Sequence, residues 1–436
     1  MKHLFNKVLA TICFLAGAVG VAMADNYPSY RSDYLWTTVP DHADWLYRTG
    51  ENASVEVQLS RYGIPLDCKV DYEIGDDCLP GDVKGSVLLK GGKAVIRMGT
   101  RRTPGFRDLR LRSCVDGAVY THHIKLGFGV EKIEPYTREP EDFQQFWQTA
   151  AEEASKYPLN YTLEPAPEYS TSKVECSLLR LETDRSHCVY AYLFKPRGAA
   201  PGSCPAVLCP PGAGVKTIKG PERHIYYAER GCIRLEMEIH GLDPRMSERS
   251  FKELQAIFGD YLQKGIESRD RYYMKRVYLS LVRAIDFLTS LPEWDGRNVA
   301  VQGGSQGGAL SLVAAGLDPR VTLCCANHPA LSDMAGYFEK GRTGGYPHFN
   351  RVPGFLTEQA VETLAYFDVV NFARHITCPV RMTWGYNDNV CPPTTSYAVW
   401  NTLSCPKEAL ITPINEHWTT DETERAHCDW ILNNLK

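Results

Sequence analysis

Ser305 stands among glycines in the stretch GGSQGGALSL, between an apolar, β-branched run at 299–301 and a longer apolar run. The spacing of Gly303, Ser305 and Gly307 fits the pattern G-x-S-x-G. In that pattern a sharp turn from strand to helix lifts a nucleophilic serine clear of the sheet, and small neighbours let two backbone segments approach closely. The amino terminus of the helix directs N–H groups at developing negative charge. The pattern predicts a nucleophile at Ser305, and a simple glycine-rich connection is the alternative.

A serine of this kind works with an acid and then a histidine, each placed after a later strand. Asp388 and His417 both follow strand-like runs in the last quarter of the chain, in that order. Functional groups of such sheets gather at the carboxyl ends of the strands. Order and placement together predict a triad of Ser305, Asp388 and His417. Asp333 is an alternative acid, because some hydrolases take the acid from the preceding strand.

Three other histidines fit the pattern less well. His328 follows a strand but lies early in the order, and His375 is expected to end a helix. His427 falls within 424–435, which has the pattern of a closing helix, and is expected to be a surface or core residue. His417 is therefore the predicted general base.

The oxyanion of a tetrahedral intermediate needs two hydrogen-bond donors. One is predicted to be the backbone N–H of Gln306, the residue after the nucleophile. The other is expected from the loop Pro210-Pro211-Gly212-Ala213-Gly214, which follows a strand-like run at 206–209. Because proline has no N–H, Gly212 or Ala213 must supply it.

Strand-like and helix-like runs alternate from about residue 140 to the end, with helical spacing at 142–156 and 273–291. This rhythm predicts a mostly parallel sheet with helices on both faces, hence an α/β fold for a catalytic domain at 136–436. Residues 25–135 show short alternating runs separated by turns, which predicts a small all-β, sandwich-like domain.

The first 24 residues have the pattern of a cleaved signal peptide. Lys2 and Lys7 precede an apolar run at 8–21, and Ala22-Met23-Ala24 offers a cleavage site. A membrane anchor is the alternative, but the run is short for a span of about 20 residues. A lipid anchor at Cys13 is a minor alternative. The protein is therefore expected to be exported, periplasmic or extracellular, with no membrane association after cleavage.

Charge and cysteine content narrow the function classes. The 436-residue chain has a net charge of −4 and no basic patch, so no nucleic acid partner is expected. Most of the 15 cysteines lie in apolar runs and are expected to act as small hydrophobic residues. Cys68, Cys78 and Cys114 are the best disulfide candidates. No spacing fits a zinc site, so neither a metal nor a cofactor is expected.

From about residue 140 onward, the sequence resembles the acetyl xylan esterase and cephalosporin-C deacetylase family of α/β-hydrolases, also called carbohydrate esterase family 7. The resemblance is carried by PEDFQQFW, RDRYYMKRVYLSLVRAIDFL, GGSQGGALSL and FDVVNFARHITCPVRMTWGYNDNVCPPTTSYAVWN. It implies an α/β-hydrolase fold, no metal, and nucleophile, acid and base at Ser305, Asp388 and His417. It also implies that Ala213 supplies the first oxyanion N–H, where the family commonly has a tyrosine.

Two further motifs depart from the family pattern. The family usually has Arg-Gly-Gln after the third strand, where this chain has His240-Gly241-Leu242. Glutamate usually follows the catalytic histidine, where Trp418 stands. Both changes weaken any inference about the family's subunit contacts, so an oligomer remains an open alternative.

The sequence thus predicts a serine esterase that removes acetyl groups from acetylated carbohydrates through an acyl-enzyme. The expected partner is an acetylated oligosaccharide or another small acetyl ester. One alternative is a serine peptidase of the same fold, although about 110 residues are too few for the propeller those enzymes carry. Another is a non-catalytic carbohydrate-binding protein, with Trp36, Trp45 and Tyr47 stacking on sugars. These aromatics are more readily assigned to the sandwich core.

Overall fold

A computed structural model describes residues 33–436. The predicted signal peptide at 1–24 therefore lies outside the described residues. No helix within the described range is long and apolar enough to cross a membrane.

The amino-terminal part forms two stacked β-sheets, as the alternating pattern predicts. In β3 the alternate residues Val55, Val57 and Leu59 are fully buried, because successive side chains of a strand point to opposite faces. One sheet contains β1, β3, β4 and β7, and the other has the order β2-β9-β8-β5-β6. The strands are β1 Tyr34–Pro40, β2 Leu46–Tyr47, β3 Ala53–Arg61, β4 Ile64–Pro65, β5 Lys69–Asp76, β6 Gly81–Leu88, β7 Lys93–Gly99, β8 Gly105–Val115 and β9 Ala118–Phe128.

The sandwich core takes up the three aromatic residues that could have stacked on sugars. Tyr47 is buried in this core, and Trp36 and Trp45 pack against it while partly buried. Their apolar surface therefore stabilises the sandwich rather than forming an open platform.

The remaining chain builds a nine-stranded sheet in the order β10-β11-β12-β14-β13-β15-β16-β17-β18. The pairs along β10, β11, β12 and β14 are antiparallel, and all later pairs are parallel. The fold is therefore the predicted mostly parallel α/β arrangement. The strands are β10 Tyr161–Pro165, β11 Val174–Glu182, β12 Cys188–Pro196, β13 Cys204–Cys209, β14 Ile233–Met237, β15 Trp294–Gly304, β16 Leu323–Asn327, β17 Val380–Trp384 and β18 Lys407–Ile411.

Helices cover both faces of this sheet. In β15, Val299 and Val301 face the large core beneath the helices Tyr273–Ser290 and Gln306–Leu317. Ala300 between them faces a smaller core that includes Cys428 and Ile431 of α9. Burial on both faces explains why these strands read as continuous apolar runs. The helices are α1 Phe143–Ser155, α2 Tyr226–Glu229, α3 Glu248–Phe258, α4 Tyr273–Ser290, α5 Gln306–Leu317, α6 Glu358–Ala365, α7 Val369–Ala373, α8 Pro393–Thr402 and α9 Asp421–Asn434.

The fourteen cysteines of the described range are all free thiols. Cys68, Cys78 and Cys114 are among them, so none of the three disulfide candidates forms a bridge. Most of the others are buried in the sheet and its helices, where the thiol packs as a small hydrophobic group.

Candidate active site

Ser305 lies at the turn between β15 and α5, with backbone angles φ 59° and ψ −122°. A residue with a side chain rarely adopts a positive φ, and such strain is typical of functional sites. The glycines around it allow close backbone contact. A Cβ atom at Gly303 would lie 2.5 Å from the carbonyl of Gly307, and one at Gly307 would lie 2.5 Å from the carbonyl oxygen of Pro210. The predicted strand–turn–helix setting of the serine is therefore present.

His417 joins Ser305 to Asp388. Its Nε2 atom is 2.9 Å from Ser305 Oγ, and its Nδ1 atom is 2.8 Å from Asp388 Oδ2. An ionised carboxylate can only accept hydrogen bonds, so we assign the ring proton to Nδ1. Nε2 is then free to accept the serine hydroxyl. The structure thus brings together all three residues predicted to form the triad.

The second carboxylate oxygen of Asp388 is held by its own loop, which we call the acid loop (residues 385–392, between β17 and α8). Asp388 Oδ1 accepts the backbone N–H groups of Val390 at 2.7 Å and Cys391 at 2.8 Å. The Asp388 side chain is 0% exposed, whereas that of His417 is 24% exposed. One oxygen therefore anchors the acid, and the other faces the imidazole.

The alternative acid has a different environment. Asp333 accepts the backbone N–H groups of Tyr136 at 3.1 Å and Thr137 at 2.8 Å, and its carboxylate lies 3.3 Å from Arg342. It ties the segment that follows the sandwich to the catalytic domain. The structure does not bring it into the hydrogen-bonded chain of Ser305.

His375 and His427 are not part of the hydrogen-bonded chain of Ser305, whereas His328 contacts His417. His375 Nε2 is 3.0 Å from the carboxylate of Glu139, and His427 is buried in α9. The His328 ring packs against the His417 ring, with 4.5 Å between centroids. Burial, with a further contribution from the neighbouring His417, lowers the pKa of His328 to about 4. His328 precedes Asp388 in the sequence, so the order of acid and then histidine excludes it as the general base. Its position after a strand is the sequence feature that indicates this contact.

The two predicted oxyanion donors lie on segments that touch. Gln306 is the first residue of α5, where a backbone N–H has no acceptor within its own helix. Ala213 belongs to the proline loop (residues 210–214), which packs on the Ser305 turn through the contact between Pro210 and Gly307. The placement fits the prediction for both residues, and their role stays a prediction.

Tyr261 connects these two segments, although no sequence motif marks it. Its hydroxyl donates to Gln306 Oε1 at 2.5 Å and accepts the N–H of Gly214 at 3.2 Å. The tyrosine is 3% exposed. It therefore fixes the spacing between the proline loop and the first turn of α5.

Asp388, Cys391 and His417 place ligand-type atoms within 4.8 Å of one another. The atoms of Asp388 and His417 are already used in the hydrogen bonds to each other, to Ser305 and to the acid loop. The ligand-type atoms of Asp388 and His417 therefore serve the hydrogen-bonded chain.

A mostly parallel sheet that carries a serine on a strand-to-helix turn, with an acid and a histidine after later strands, defines the class of serine α/β-hydrolases. The family model for acetyl xylan esterase (AXE1) matches residues 127–434. The chain belongs to the acetyl xylan esterase family. It is also 58% identical over 434 residues to the acetyl esterase Axe7A of Xylanibacter ruminicola, which covers 99% of this chain and 97% of that one.

Two solved structures share the fold of the catalytic part. An acetyl xylan esterase from Paenibacillus sp. R4 matches with a TM-score of 0.60 and 27% identity, covering 70% of this chain and 98% of that one. Acetyl xylan esterase 1 from Thermoanaerobacterium sp. JW/SL YS485 also has a TM-score of 0.60, at 22% identity, covering 70% of this chain and 97% of that one. Both are smaller proteins whose length is almost fully matched.

Proposed function

We propose that this protein is a serine esterase that removes acetyl groups from acetylated carbohydrates through an acyl-enzyme. The observation that carries the proposal is the unbroken hydrogen-bonded chain from Asp388 through His417 to Ser305, in a member of the acetyl xylan esterase family. The relative Axe7A is named an acetyl esterase, which supports acetyl as the group removed.

The acylation step follows from the geometry of the hydrogen-bonded chain of Asp388, His417 and Ser305. Ser305 Oγ attacks the acetyl carbonyl carbon while His417 Nε2 takes the hydroxyl proton. Asp388 keeps the proton on Nδ1 and stabilises the imidazolium that forms. His417 then gives its Nε2 proton to the departing sugar oxygen, and the C–O bond to the sugar breaks. Acetyl-Ser305 and a free sugar hydroxyl are the products.

Deacylation repeats these steps with water. His417 removes a proton from a water molecule that attacks the acetyl carbon, and Ser305 leaves with that proton as acetate is released. In both steps the carbonyl oxygen becomes an oxyanion, for which we assign the backbone N–H groups of Ala213 and Gln306. Removing one such donor typically costs roughly 100- to 1000-fold in rate.

The test compares Ser305→Ala with Ser311→Ala. Ser311 lies in α5, the helix that follows Ser305, is buried, and donates its hydroxyl to Gly307 O at 2.8 Å, so it controls for the loss of a hydroxyl near the turn. We expect Ser305→Ala to lose hydrolysis of p-nitrophenyl acetate and acetate release from acetylated xylo-oligosaccharides, with an unchanged melting temperature. Ser311→Ala should keep its activity. Full activity of Ser305→Ala would contradict the proposal.

A substrate panel separates the esterase from the serine peptidase and the binding protein. Family membership favours an ester over an amide, so we expect the wild-type protein to cleave acetyl esters and to leave dipeptide anilides intact. Cleavage of the anilide alone would favour the peptidase. Binding of oligosaccharide without release of acetate would favour the binding protein.

We further propose that the protein is exported after removal of residues 1–24. The support is the pattern of Lys2, Lys7, the apolar run and Ala22-Met23-Ala24. Expression in a bacterial host, cell fractionation and mass measurement of the purified chain test this. A periplasmic or secreted chain that begins at Asp25 is expected, and an uncleaved cytoplasmic chain would contradict the proposal.

A further inference from the structure

A lysine of the β-sandwich is completely buried against the acid loop. Lys125, in β9, has a side chain that is 0% exposed, and its Nζ lies 2.7 Å from Asp77 Oδ1. The same ammonium group donates to the backbone carbonyl oxygen of Asp388 at 2.6 Å. A residue of the amino-terminal domain therefore touches the backbone of the predicted catalytic acid.

Asp77 itself accepts hydrogen bonds from the catalytic domain. Thr394 in α8 donates its hydroxyl to Asp77 Oδ2 at 2.8 Å, and Thr343 donates its hydroxyl to the Asp77 carbonyl at 2.6 Å. Burial alone would lower the pKa of Lys125, but neighbouring acidic groups, with Asp77 foremost, raise it above the usual value. Lys125 is therefore charged at neutral pH. A buried ion pair contributes little to stability compared with apolar packing, so its presence suggests a positional role.

The contacts continue on both sides of Asp388. Asn387 Oδ1 accepts the backbone N–H of Lys125 at 2.9 Å, and Asn387 Nδ2 donates to the carbonyl of Ile414, near His417, at 3.3 Å. Asn389 lies 3.4 Å from His123 of β9. Three consecutive residues of the acid loop are thus held by one strand of the sandwich.

We propose that the β-sandwich is a working part of the active site, in which the Lys125–Asp77 pair holds the acid loop so that Asp388 stays aligned with His417. Lys125 and Asp77 are then positioning residues, since neither touches the ester. The proposal rests on the esterase function proposed above. It also gives a reason why the catalytic fold in this chain carries an additional domain.

The test is the paired variant Lys125→Met with Asp77→Asn, which removes both charges and avoids leaving one buried alone. A small displacement of a catalytic group can cost up to about 100-fold, so we expect kcat for p-nitrophenyl acetate to fall roughly 10- to 100-fold. KM should change little. The acidic limb of kcat/KM should move to lower pH, because a displaced Asp388 stabilises the His417 imidazolium less.

The matched control is Lys195→Met with Glu293→Gln, which removes an ion pair of 2.5 Å in the catalytic domain, away from the acid loop. We expect it to lower the melting temperature and leave kcat and the pH profile unchanged. If the Lys125 variant also changes only the melting temperature, the positioning role is wrong. A wild-type protein without esterase activity would contradict the proposed function, a result distinct from this one.

If the paired variant does not fold, a measurement on the wild-type protein still tests the proposal. Reaction of Ser305 with a phosphonate ester locks the triad in a transition-state-like arrangement. If the sandwich and the acid loop are coupled, hydrogen exchange at the amides of Lys125 and residues 77–79 should slow in the adduct, because coupling is reciprocal. Equal exchange in the free and reacted protein would overturn the proposal.

A different observation carries a second inference. A cavity of about 640 Å³ lies between the five-stranded sheet of the sandwich and the loops that carry the triad. Asn389 and Glu416, the chain neighbours of Asp388 and His417, line it together with residues of β5, β6, β8 and β9. This volume is within the range of ligand sites.

The lining is polar and electrically balanced. The Tyr72 ring packs against the sandwich core over Gly85, where a Cβ atom would be 2.5 Å from the ring and hydroxyl, so it lies on the face of β5 opposite Asp71 and Glu73. Glu73 is 3.2 Å from Lys84 and 3.3 Å from Arg110, so charges of opposite sign neutralise one another. Hydrogen-bonding groups of both kinds, with charges that balance, fit a neutral, hydroxyl-rich ligand better than an anion or a cation. The charged residues of the lining are Asp71, Glu73, Glu416, Lys84, Arg110 and Arg112.

We infer that this cavity binds the sugar chain of the substrate, which deepens the proposed function. His417 must protonate the leaving sugar oxygen, so the sugar lies on the His417 side of the ester, opposite the oxyanion donors. Glu416 places the cavity on that side. The sandwich would then contribute to substrate binding as well as to the alignment of Asp388.

The test compares Arg112→Ala with Arg97→Ala, since both arginines are exposed in the same domain and Arg112 alone lines the cavity. Loss of a charged hydrogen-bond donor should raise KM for acetylated xylo-oligosaccharides about 5- to 10-fold and leave kcat/KM for p-nitrophenyl acetate unchanged. Arg97→Ala should resemble the wild type. Unchanged KM, or an equal loss on both substrates, would overturn the inference.

Binding of xylotetraose to Ser305→Ala, measured by calorimetry, separates the sugar site from the reaction. Weaker binding after adding Arg112→Ala is expected, and binding that does not depend on Arg112 contradicts the site. Failure of the wild type to release acetate from any oligosaccharide would contradict the proposed function instead.

Discussion

The rings of His328 and His417 lie 4.5 Å apart at an angle of 57°, with His328 packed beneath the histidine that contacts Ser305. The backbone N–H of His328 donates to the carbonyl of Thr383 at 2.6 Å, and its φ is 30°. Because burial and the neighbouring His417 lower the pKa of His328 to about 4, the ring is neutral at the pH where an esterase works. It can therefore support His417 without adding a second positive charge.

Replacement of this ring should reduce turnover. His328→Asn keeps a residue that tolerates positive φ and removes the packing that limits rotation of the His417 imidazole. We expect kcat for p-nitrophenyl acetate to fall roughly 10-fold or more with little change in KM. His187→Asn, at another buried histidine with its pKa lowered to about 4, is the control. Equal kcat values for the two variants would show that the contact has no role in turnover.

Asp388→Asn should lower kcat far more than the small change in side-chain shape implies. The amide oxygen must accept the N–H groups of Val390 and Cys391, as Oδ1 does now. The NH₂ group then faces His417 Nδ1 and forces the ring proton onto Nε2, which can no longer accept the Ser305 proton. We expect kcat to fall roughly 10³- to 10⁴-fold, with the fold preserved by circular dichroism. A loss below tenfold would contradict the assigned tautomer.

Tyr261→Phe tests the link between the proline loop and α5. The change removes the hydroxyl that contacts both Gln306 and Gly214, so the spacing of the two predicted oxyanion donors loosens. We expect kcat to fall roughly 10-fold, less than the 100- to 1000-fold loss of a whole donor. Tyr272→Phe removes a buried hydroxyl bonded to Leu262 O at 2.9 Å and should affect stability alone. A change confined to the melting temperature in both variants would contradict the role of Tyr261.

The triad of Ser305, Asp388 and His417 could be predicted because a local sequence pattern marks each of the three residues. Ser305 lies within a five-residue motif, and Asp388 and His417 follow strands whose apolar runs are readable one at a time. Parallel strands bring their carboxyl ends to one edge, so order along the sequence translates into proximity. The same logic places Gln306 at the start of the helix after Ser305, and its role as an oxyanion donor stays a prediction.

The supporting residues could not be predicted, since their roles depend on packing between distant segments. Lys125 alternates with apolar residues in β9, and nothing in that pattern indicates a partner beside Asp388. Tyr261 lies in a segment with no regular period. The state of the disulfide candidates Cys68, Cys78 and Cys114 could not be predicted either, because cysteine count alone cannot distinguish a free thiol from a bridge.

His427 makes the stability of the protein depend on pH. The residue is buried in α9, and neither ring nitrogen has a hydrogen-bond partner among the residues described. Burial, reinforced by the nearby charge of Arg381, lowers the pKa of His427 to about 3. Between pH 6.5 and 3 the unfolded chain therefore binds a proton that the folded protein does not. Stability from this group is complete above pH 6.5 and falls as the pH falls.

His427→Leu should flatten this dependence, because leucine fills a similar volume and has no proton to bind. Each bound proton changes the free energy of unfolding by about 1.4 kcal/mol per pH unit, so the wild type should lose roughly 2 kcal/mol more than the variant between pH 7 and 5. Urea unfolding at pH 8, 7, 6 and 5 measures this. From pH 8 to 7 the two proteins should change in parallel, since His427 is neutral in both states there. Parallel curves down to pH 5 would mean that His427 is protonated equally in the folded and unfolded chains.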